Sequence, residues 1–355
     1  MELNFFTVAC LLSLSMVPGI YLLGGGRSQA EGGFWRFAVA VAVGVTGFAL
    51  VGSALMQGPG DQPLPIDPAY LLARRFDTAA LHYATLVAVI CALLAAGANR
   101  LSLGWLAMTA LMLGAVALPV AMKALWLGPM MRLGVIDIGG ASVQAAGAAC
   151  VLAVSAGLPS CRREPDQDAP PSWAVGMILL LMGWVAYLFA SGVMRSPATV
   201  VEGALNCLRA SAVAAAVAVL VERIRGNRHP ARSIAAGILL ALVTIAPAAG
   251  RAPGVVVMAV GVLAPLVAPA MRRFCAQRFG VVDGAGIISA HLFGAIFGMT
   301  LATPFAVSIE SLRIQLSLQM LAVTLALGLG AAMGLPVSMI ARIFRRRGAP
   351  AGARA

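Results

Sequence analysis

Long apolar runs alternate with short polar breaks along almost the whole chain. A helix needs about 20 mostly apolar residues to span the hydrocarbon core of a bilayer. Eleven stretches meet that requirement, 4 to 23, 34 to 56, 78 to 98, 102 to 126, 134 to 158, 173 to 194, 198 to 222, 233 to 250, 253 to 271, 284 to 305 and 314 to 341. The breaks carry turn and loop residues, as in Gly24-Gly25-Gly26-Arg27, the Pro- and Asp-rich stretch 58 to 68, and Gly250-Arg251-Ala252-Pro253. They are too short to hold a soluble domain.

Polar positions inside the apolar runs recur. His291-Leu292-Phe293-Gly294 follows Asp283, and 147 positions upstream Gln144-Ala145-Ala146-Gly147 follows Asp137. Spans one to five and six to ten therefore read as two related halves. Because five is odd, the second half starts from the opposite face, which makes the repeat inverted. The predicted fold is an all-α integral membrane protein of eleven transmembrane helices, a 5+5 inverted repeat plus a C-terminal helix. Residues 1–348 form one membrane domain, with repeats at about 4–158 and 173–305, an extra helix at about 314–344, and a short tail at 349–355.

Composition agrees with a bilayer as solvent: 61% of residues are hydrophobic, 11% are charged and the mean hydropathy is +0.93, where soluble domains carry roughly a quarter charged residues. The net charge of +12 reflects orientation. With the N-terminus outside, inner loops and tail hold seventeen arginines, among them Arg27, Arg36, Arg100, Arg223 and Arg342, against six outside, Arg74, Arg75, Arg132, Arg195, Arg251 and Arg313. That is a positive-inside bias. It predicts a multi-pass cell-membrane protein with a cytoplasmic C-terminus, and it explains the basic balance without a nucleic-acid partner. The first apolar run reads as a retained helix, with a cleaved signal peptide as the alternative. Six scattered cysteines, Cys161 among them, form no CxxC pair and read as small core residues.

Ionisable side chains within a span are costly and mark function by default. His291 is the sharpest candidate, since an imidazole donates, accepts and exchanges a proton near neutral pH; the plainer alternative is a structural histidine bonded to a carbonyl. Gln144 is its repeat partner. Gly294 and Gly298 form a small-xxx-small face that predicts close approach of span ten to a neighbour, bringing Gln144 and His291 together. Asp137 stands two helical turns before Gln144, on one face if the helix is regular, and is placed to cap backbone N–H groups. Arg209 pairs with Asp137, with Glu202, or points to a subunit interface. Lys123 reads as an interfacial anchor. Tyr187, Trp184 and Trp126 lie near helix ends, where an aromatic belt is the ordinary reading and a cation-attracting vestibule the alternative. The three histidines form no metal-binding cluster, and no nucleophile elbow or phosphate loop occurs, so neither an enzyme nor a cofactor is expected.

Together the segments resemble the Amt/Rh ammonium transporter family over nearly the whole chain. Pro18-Gly19 with Gly24-Gly25-Gly26 is similar to its opening motif. Gly134-Val135-Ile136-Asp137-Ile138-Gly139-Gly140 is similar to Gly-x-x-Asp-x-x-Gly-Gly, one residue shorter. Gly183-Trp184-Val185-Ala186-Tyr187 to Ser191 resembles Gly-Trp-Phe-Gly-Phe-Asn-Ala-Gly-Ser. Asn206, Thr244 to Gly250, and His291 to Gly298 resemble signatures of spans seven, eight and ten. The resemblance implies a homotrimer with one pore per subunit, moving ammonium or ammonia. It implies an outer recruitment site at Trp126 and Ser191, gate positions at Tyr187 and Thr85, paired pore residues at Gln144 and His291, and structural support from Asp137. Trp184 belongs to the same outer group.

The departures from the family pattern matter. Gln144 cannot titrate near neutral pH, so a relay through two imidazoles is not available. Asn99 replaces a family glutamate. The tail lacks the acidic regulatory segment, which weakens the expectation of a PII-type regulator. The expected path recruits the cation at Trp126, Ser191 and Tyr187, removes its proton during desolvation, and passes a neutral species along Gln144 and His291. The rivals are a nitrogen-sensing or non-transporting family member, and a channel for another small neutral solute such as carbon dioxide or methylamine.

Overall fold

The structure is a computed structural model and describes residues 5–24, 33–57, 66–97, 101–158, 172–191, 196–227, 230–281, 283, 285–305 and 312–348. Among the described residues the regular secondary structure is all helical. Ten helices are long and apolar enough to cross a membrane: α1 (Phe5–Leu23), α2 (Gly33–Gln57), α3 (Thr78–Gly97), α4 (Leu103–Arg132), α6 (Ser172–Ala190), α7 (Ala198–Ile224), α8 (Ala231–Ala248), α9 (Gly254–Phe279), α10 (Ile287–Phe305) and α11 (Leu312–Ile343). Between them lies the shorter apolar helix α5 (Ala141–Ala156). Asn99, Arg100, Arg27, Cys161, His229 and the tail 349–355 lie outside the described residues.

The reading of 134 to 158 as a full-length helix is corrected. Left-handed backbone at Gly134 (φ +100°) and Gly140 (φ +66°) keeps the chain irregular up to Ala141, leaving a helix of 16 residues. Asp137 is therefore in the segment before α5 and does not share a helical face with Gln144. The same device precedes α10, where Gly286 has φ +72°.

Burial separates centre from rim. α3, α8, α5 and α10 are buried on nearly all sides, whereas α9 and α11 keep broad apolar faces exposed, as expected where the outer surface meets lipid. α2 packs on α3 and α4, and α7 packs on α8 and α9; α1 lies against α6 and α5 against α10. α11 runs along α5. Gln315 and Gln319 donate to the carbonyls of Gly134 (2.8 Å) and Ile136 (3.1 Å), and Arg342 donates to Ala156 (2.6 Å) at the other end. Glycines 330 and 334 of α11 face the α5 carbonyls of Ala146 and Cys150 so closely that a Cβ there would collide. The small-residue face of α10 is also corrected in its target. Gly294 and Gly298 pack against Val243, Thr244 and Pro247 of α8, not against the helix of Gln144. The five described cysteines are free and buried.

Candidate functional site

The site is built where helix ends meet inside the bundle. α4 passes through two π-helical stretches, Leu113–Ala117 and Met122–Leu127, irregularities that often re-aim a side chain at functional positions. The second carries Trp126. Its indole N–H donates to the Asp137 carbonyl at 2.8 Å, which ties the end of α4 to the start of α5. Trp126, Trp184 and Tyr187 are all at most 3% exposed. The aromatic-belt reading is thereby corrected: position along a helix does not disclose which way the face turns, and these rings point into the protein.

A compact group of rings surrounds Trp126. The ring of Tyr187 stacks on His82 with centroids 4.7 Å apart and planes inclined by 23°. It lies nearly parallel to Trp126 at 6.5 Å and 19°. His82 and Trp126 are 5.7 Å apart, and Tyr83 meets Trp126 edge-on at 6.3 Å. His82 is thus the ring partner of Tyr187. Thr85, expected from the resemblance at that gate position, stands one helical turn further along α3, buried, with its hydroxyl donating to Leu81. Sequence reasoning passed over His82 as one of three scattered histidines. The signal was present, because an ionisable residue inside the apolar run from Thr78 falls under the same rule that selected His291.

Directly against these rings lies Gly140. A Cβ there would stand 3.2 Å from the Tyr187 hydroxyl oxygen and 3.3 Å from the indole of Trp126. Backbone therefore forms one wall of the ring cluster. From it α5 starts, and Asp137 caps it: one carboxylate oxygen accepts from Ala141 N (2.7 Å), the other from Ser142 N (2.9 Å) and Ser142 Oγ (2.7 Å). Asp283 repeats this at α10, accepting from Ile288 N (3.2 Å) and Ser289 N (2.8 Å). A carboxylate at a helix N-terminus satisfies orphan donors and favours the helix dipole.

One turn into each capped helix stands the paired polar residue. Gln144 donates through Nε2 to the Gly139 carbonyl at 2.9 Å, and its Oε1 is buried with no hydrogen-bond partner among the described residues. His291 is buried with Nδ1 2.7 Å from the Ile287 carbonyl. That bond requires the proton on Nδ1, which leaves Nε2 as an acceptor. The edge of Trp184 meets the His291 ring at 6.1 Å and 61°. Trp184 and Tyr187 are one turn apart on α6, so a single helix face touches both His291 and the ring cluster. Ser191, at the end of α6, is fully buried and donates to Leu188 at 2.6 Å.

Arg209 and Lys123 are held by partners outside this ring cluster. Arg209 resolves onto Glu202, 2.8 Å away on α7, and onto Asn206 Oδ1 at 2.9 Å; both members of the ion pair are about half exposed. Asn206 also fastens α7 to the turn after α8 by donating to Ala249 (2.7 Å) and Ala252 (3.1 Å). Lys123 donates to the Leu55 carbonyl at 3.2 Å.

The sequence pattern described as "Ammonium Transporter Family" matches residues 4–346. No curated protein matches the chain. Among solved structures, one described as "Sensor Amt Protein" superposes with a TM-score of 0.79 at 20% identity, covering 98% of this chain and 96% of that one. Mep2 of Candida albicans superposes at 0.78 and 21% identity, covering 97% and 84%. Mep2 of Saccharomyces cerevisiae superposes at 0.75 and 19%, covering 94% and 86%. At these identities the likeness is one of fold.

Proposed function

This chain belongs to the ammonium transporter family, and on that premise we propose that it carries ammonium or ammonia across the membrane through a narrow path in each subunit. The observation that carries the reading is the free Oε1 of Gln144, buried one turn beneath the ring cluster. A buried carbonyl oxygen without a donor is costly. A small N–H donor arriving past Tyr187 and Trp126 would satisfy it, and neutral His291 Nε2 would accept the next hydrogen bond. Ring faces attract a small cation by about 0.5–2 kcal/mol. Ser191, Trp126, Tyr187, Trp184 and Thr85 line the outer approach in this reading, and Asp137 holds the start of α5.

Sodium and potassium offer no N–H to Gln144 and His291 and have no proton to lose, so dehydration would exclude them. In proteoliposomes, His291→Ala is expected to abolish or strongly reduce methylammonium and ammonia flux and to alter its pH dependence. Unchanged flux would remove the Gln144 and His291 path. Recording current alongside flux separates electrogenic transport from neutral passage. A second reading, a nitrogen-sensing or non-transporting member, is favoured by Gln144 standing where a proton relay needs a titratable group. Saturable methylammonium binding without flux would select it, and flux of carbon dioxide alone would select a gas channel.

The architecture we propose is eleven spans in two inverted repeats followed by α11, within one domain over residues 1–348. At 1.5 Å per residue α5 is only about 24 Å long, and the irregular Gly134–Gly140 segment completes its crossing, as buried non-helical backbone can. The mirrored packing of α2 and α7, the shared burial of α3 and α8, and the twin carboxylate caps support the repeat. The orientation follows from the arginine bias, with the N-terminus outside. A half-exposed ion pair on α7, joining Arg209 about a dozen residues into the helix to Glu202 in its second turn, supports a homotrimer, since lipid is a poor neighbour for it.

A further inference from the structure

We infer that His82 is the group that takes the proton from ammonium before the neutral molecule reaches Gln144. The inference rests on the transport reading above and adds to it the proton acceptor that Gln144 cannot be. His82 is fully buried, stacked on Tyr187 and within ring contact of Trp126. The cation attracted to those ring faces is therefore brought to an imidazole, the one side chain of the cluster that exchanges protons near neutral pH. Gly140 faces both Tyr187 and Trp126, where a Cβ would crowd them, and its carbonyl accepts the α5 hydrogen bond from Gln144 N at 3.1 Å. Ring cluster and amide acceptor are thus consecutive stations on one continuous wall.

The step balances without a co-reactant. An ammonium N–H bond breaks, an imidazole N–H bond forms at His82, and ammonia moves on to the Gln144 carbonyl. The imidazolium then returns its proton to water at the outer face, so the net passage is of neutral ammonia. While charged, the ring is sheltered by the faces of Tyr187 and Trp126 through stacking and cation–π attraction. It also repels a second cation until it is reset.

The other titratable and charged groups on the elements packed against α3 are held by other partners. The Asp137 carboxylate caps α5 and His291 Nδ1 faces Ile287. The Cys10 thiol donates to Thr78 O, Arg36 donates to Leu101 O, and Tyr21 packs on Phe34 and Phe37. Cys91 and Cys150 are thiols buried in the apolar core. Tyr187 and Tyr83 both lie in ring contact with His82, at 4.7 and 5.9 Å between centroids, and a phenol does not ionise near neutral pH.

The test uses the full chain with ¹⁵N-labelled histidine. Of its three histidines, His229 and His291 are assigned by His229→Gln and His291→Gln, which leaves the His82 ring signals identified in otherwise intact protein. Adding ammonium chloride at constant pH is expected to move the His82 nitrogens towards imidazolium shifts. His82→Phe, which keeps the aromatic plate, is expected to lower ammonia flux in proteoliposomes by about 10²-fold and to flatten its pH profile. His82 signals that stay fixed under saturating ammonium, or a His82→Phe variant with wild-type flux and pH profile, would overturn the assignment. Imidazolium shifts in a chain that gives no flux would refute the transport reading and leave the His82 assignment standing. Flux that proceeds with the His82 signals unmoved would do the reverse.

Discussion

Asp137 and Asp283 do the same work at two places in the bundle: each turns its carboxylate onto free N–H groups at the start of a buried helix whose next turn carries a functional candidate. Removing the Asp137 side chain would orphan two backbone donors and the Ser142 hydroxyl in a buried site. Asp137→Ala is therefore expected to destabilise the protein by about 1–3 kcal/mol, seen as a lower midpoint of thermal unfolding in detergent, whereas Asp137→Asn keeps an acceptor and costs less. A midpoint unchanged in the alanine variant would show that the cap does not hold α5. The capping role was legible in the sequence because an acidic residue before an apolar run with Gly-Gly between them has a local physical meaning. The rings were less legible. Trp126, Trp184 and Tyr187 look like belt residues in one dimension, and only the rotation of α4 and α6 reveals that they face inwards. His82 was hidden for a related reason. Its significance comes from Tyr187, more than a hundred positions away, stacking upon it.

At the scale of helices, the seam of α11 on α5 depends on side chains that are not there. Gly330 and Gly334 let α11 approach the carbonyls of Ala146 and Cys150, while Gly328, two residues from Gly330, has nothing near the place of its missing Cβ. The neighbours of Gly330 are the Ala146 carbonyl and the Ala149 Cβ, which cannot step aside, so Gly330→Val must displace a helix. Overpacking of this kind costs about 1–3 kcal/mol. Gly328→Ala, by contrast, gains helix propensity and is expected to be neutral or slightly stabilising. Unfolding midpoints of the two variants check the contrast; equal shifts would mean that the seam is loose. Helix existence was readable along the whole chain, since long apolar runs admit few alternatives in lipid. The length of α5 was not, because apolar composition continues through Gly134–Gly140 while positive φ at two glycines delays the start of the helix to Ala141. The partner of the Gly294 and Gly298 face was likewise unreadable: a small-residue stripe states that something comes close, and the tertiary arrangement decides that it is α8.

For the whole molecule the decisive feature is charge on the surface that meets lipid. The rim of the bundle is apolar, with exposed Val201, Leu205, Leu208, Val219 and Leu220 along α7. Arg209 and Glu202 interrupt it as a half-exposed ion pair. An Arg in the bilayer costs from about 2.5 kcal/mol upward unless it is paired, snorkels or is covered. Pairing is present, but half of each side chain still faces outwards, so cover from a second copy of the chain would lower the energy further. Replacing both residues by leucine would make the same surface content with lipid and would weaken the proposed interface. In a mild detergent, native mass spectrometry is therefore expected to find wild-type trimers, and to find Arg209→Leu with Glu202→Leu shifted towards monomers while its helical content is retained. A wild-type chain that is monomeric across detergents and in nanodiscs would remove the interface, and the ion pair would then have to be explained by local thinning of the bilayer alone. A variant that stays trimeric would move the interface to another face of the rim. Since the path through Gln144 and His291 lies inside each subunit in this reading, loss of the trimer should lower the stability of the conducting unit without changing its selectivity for ammonia over potassium, and flux from monomeric variant in liposomes measures that separation.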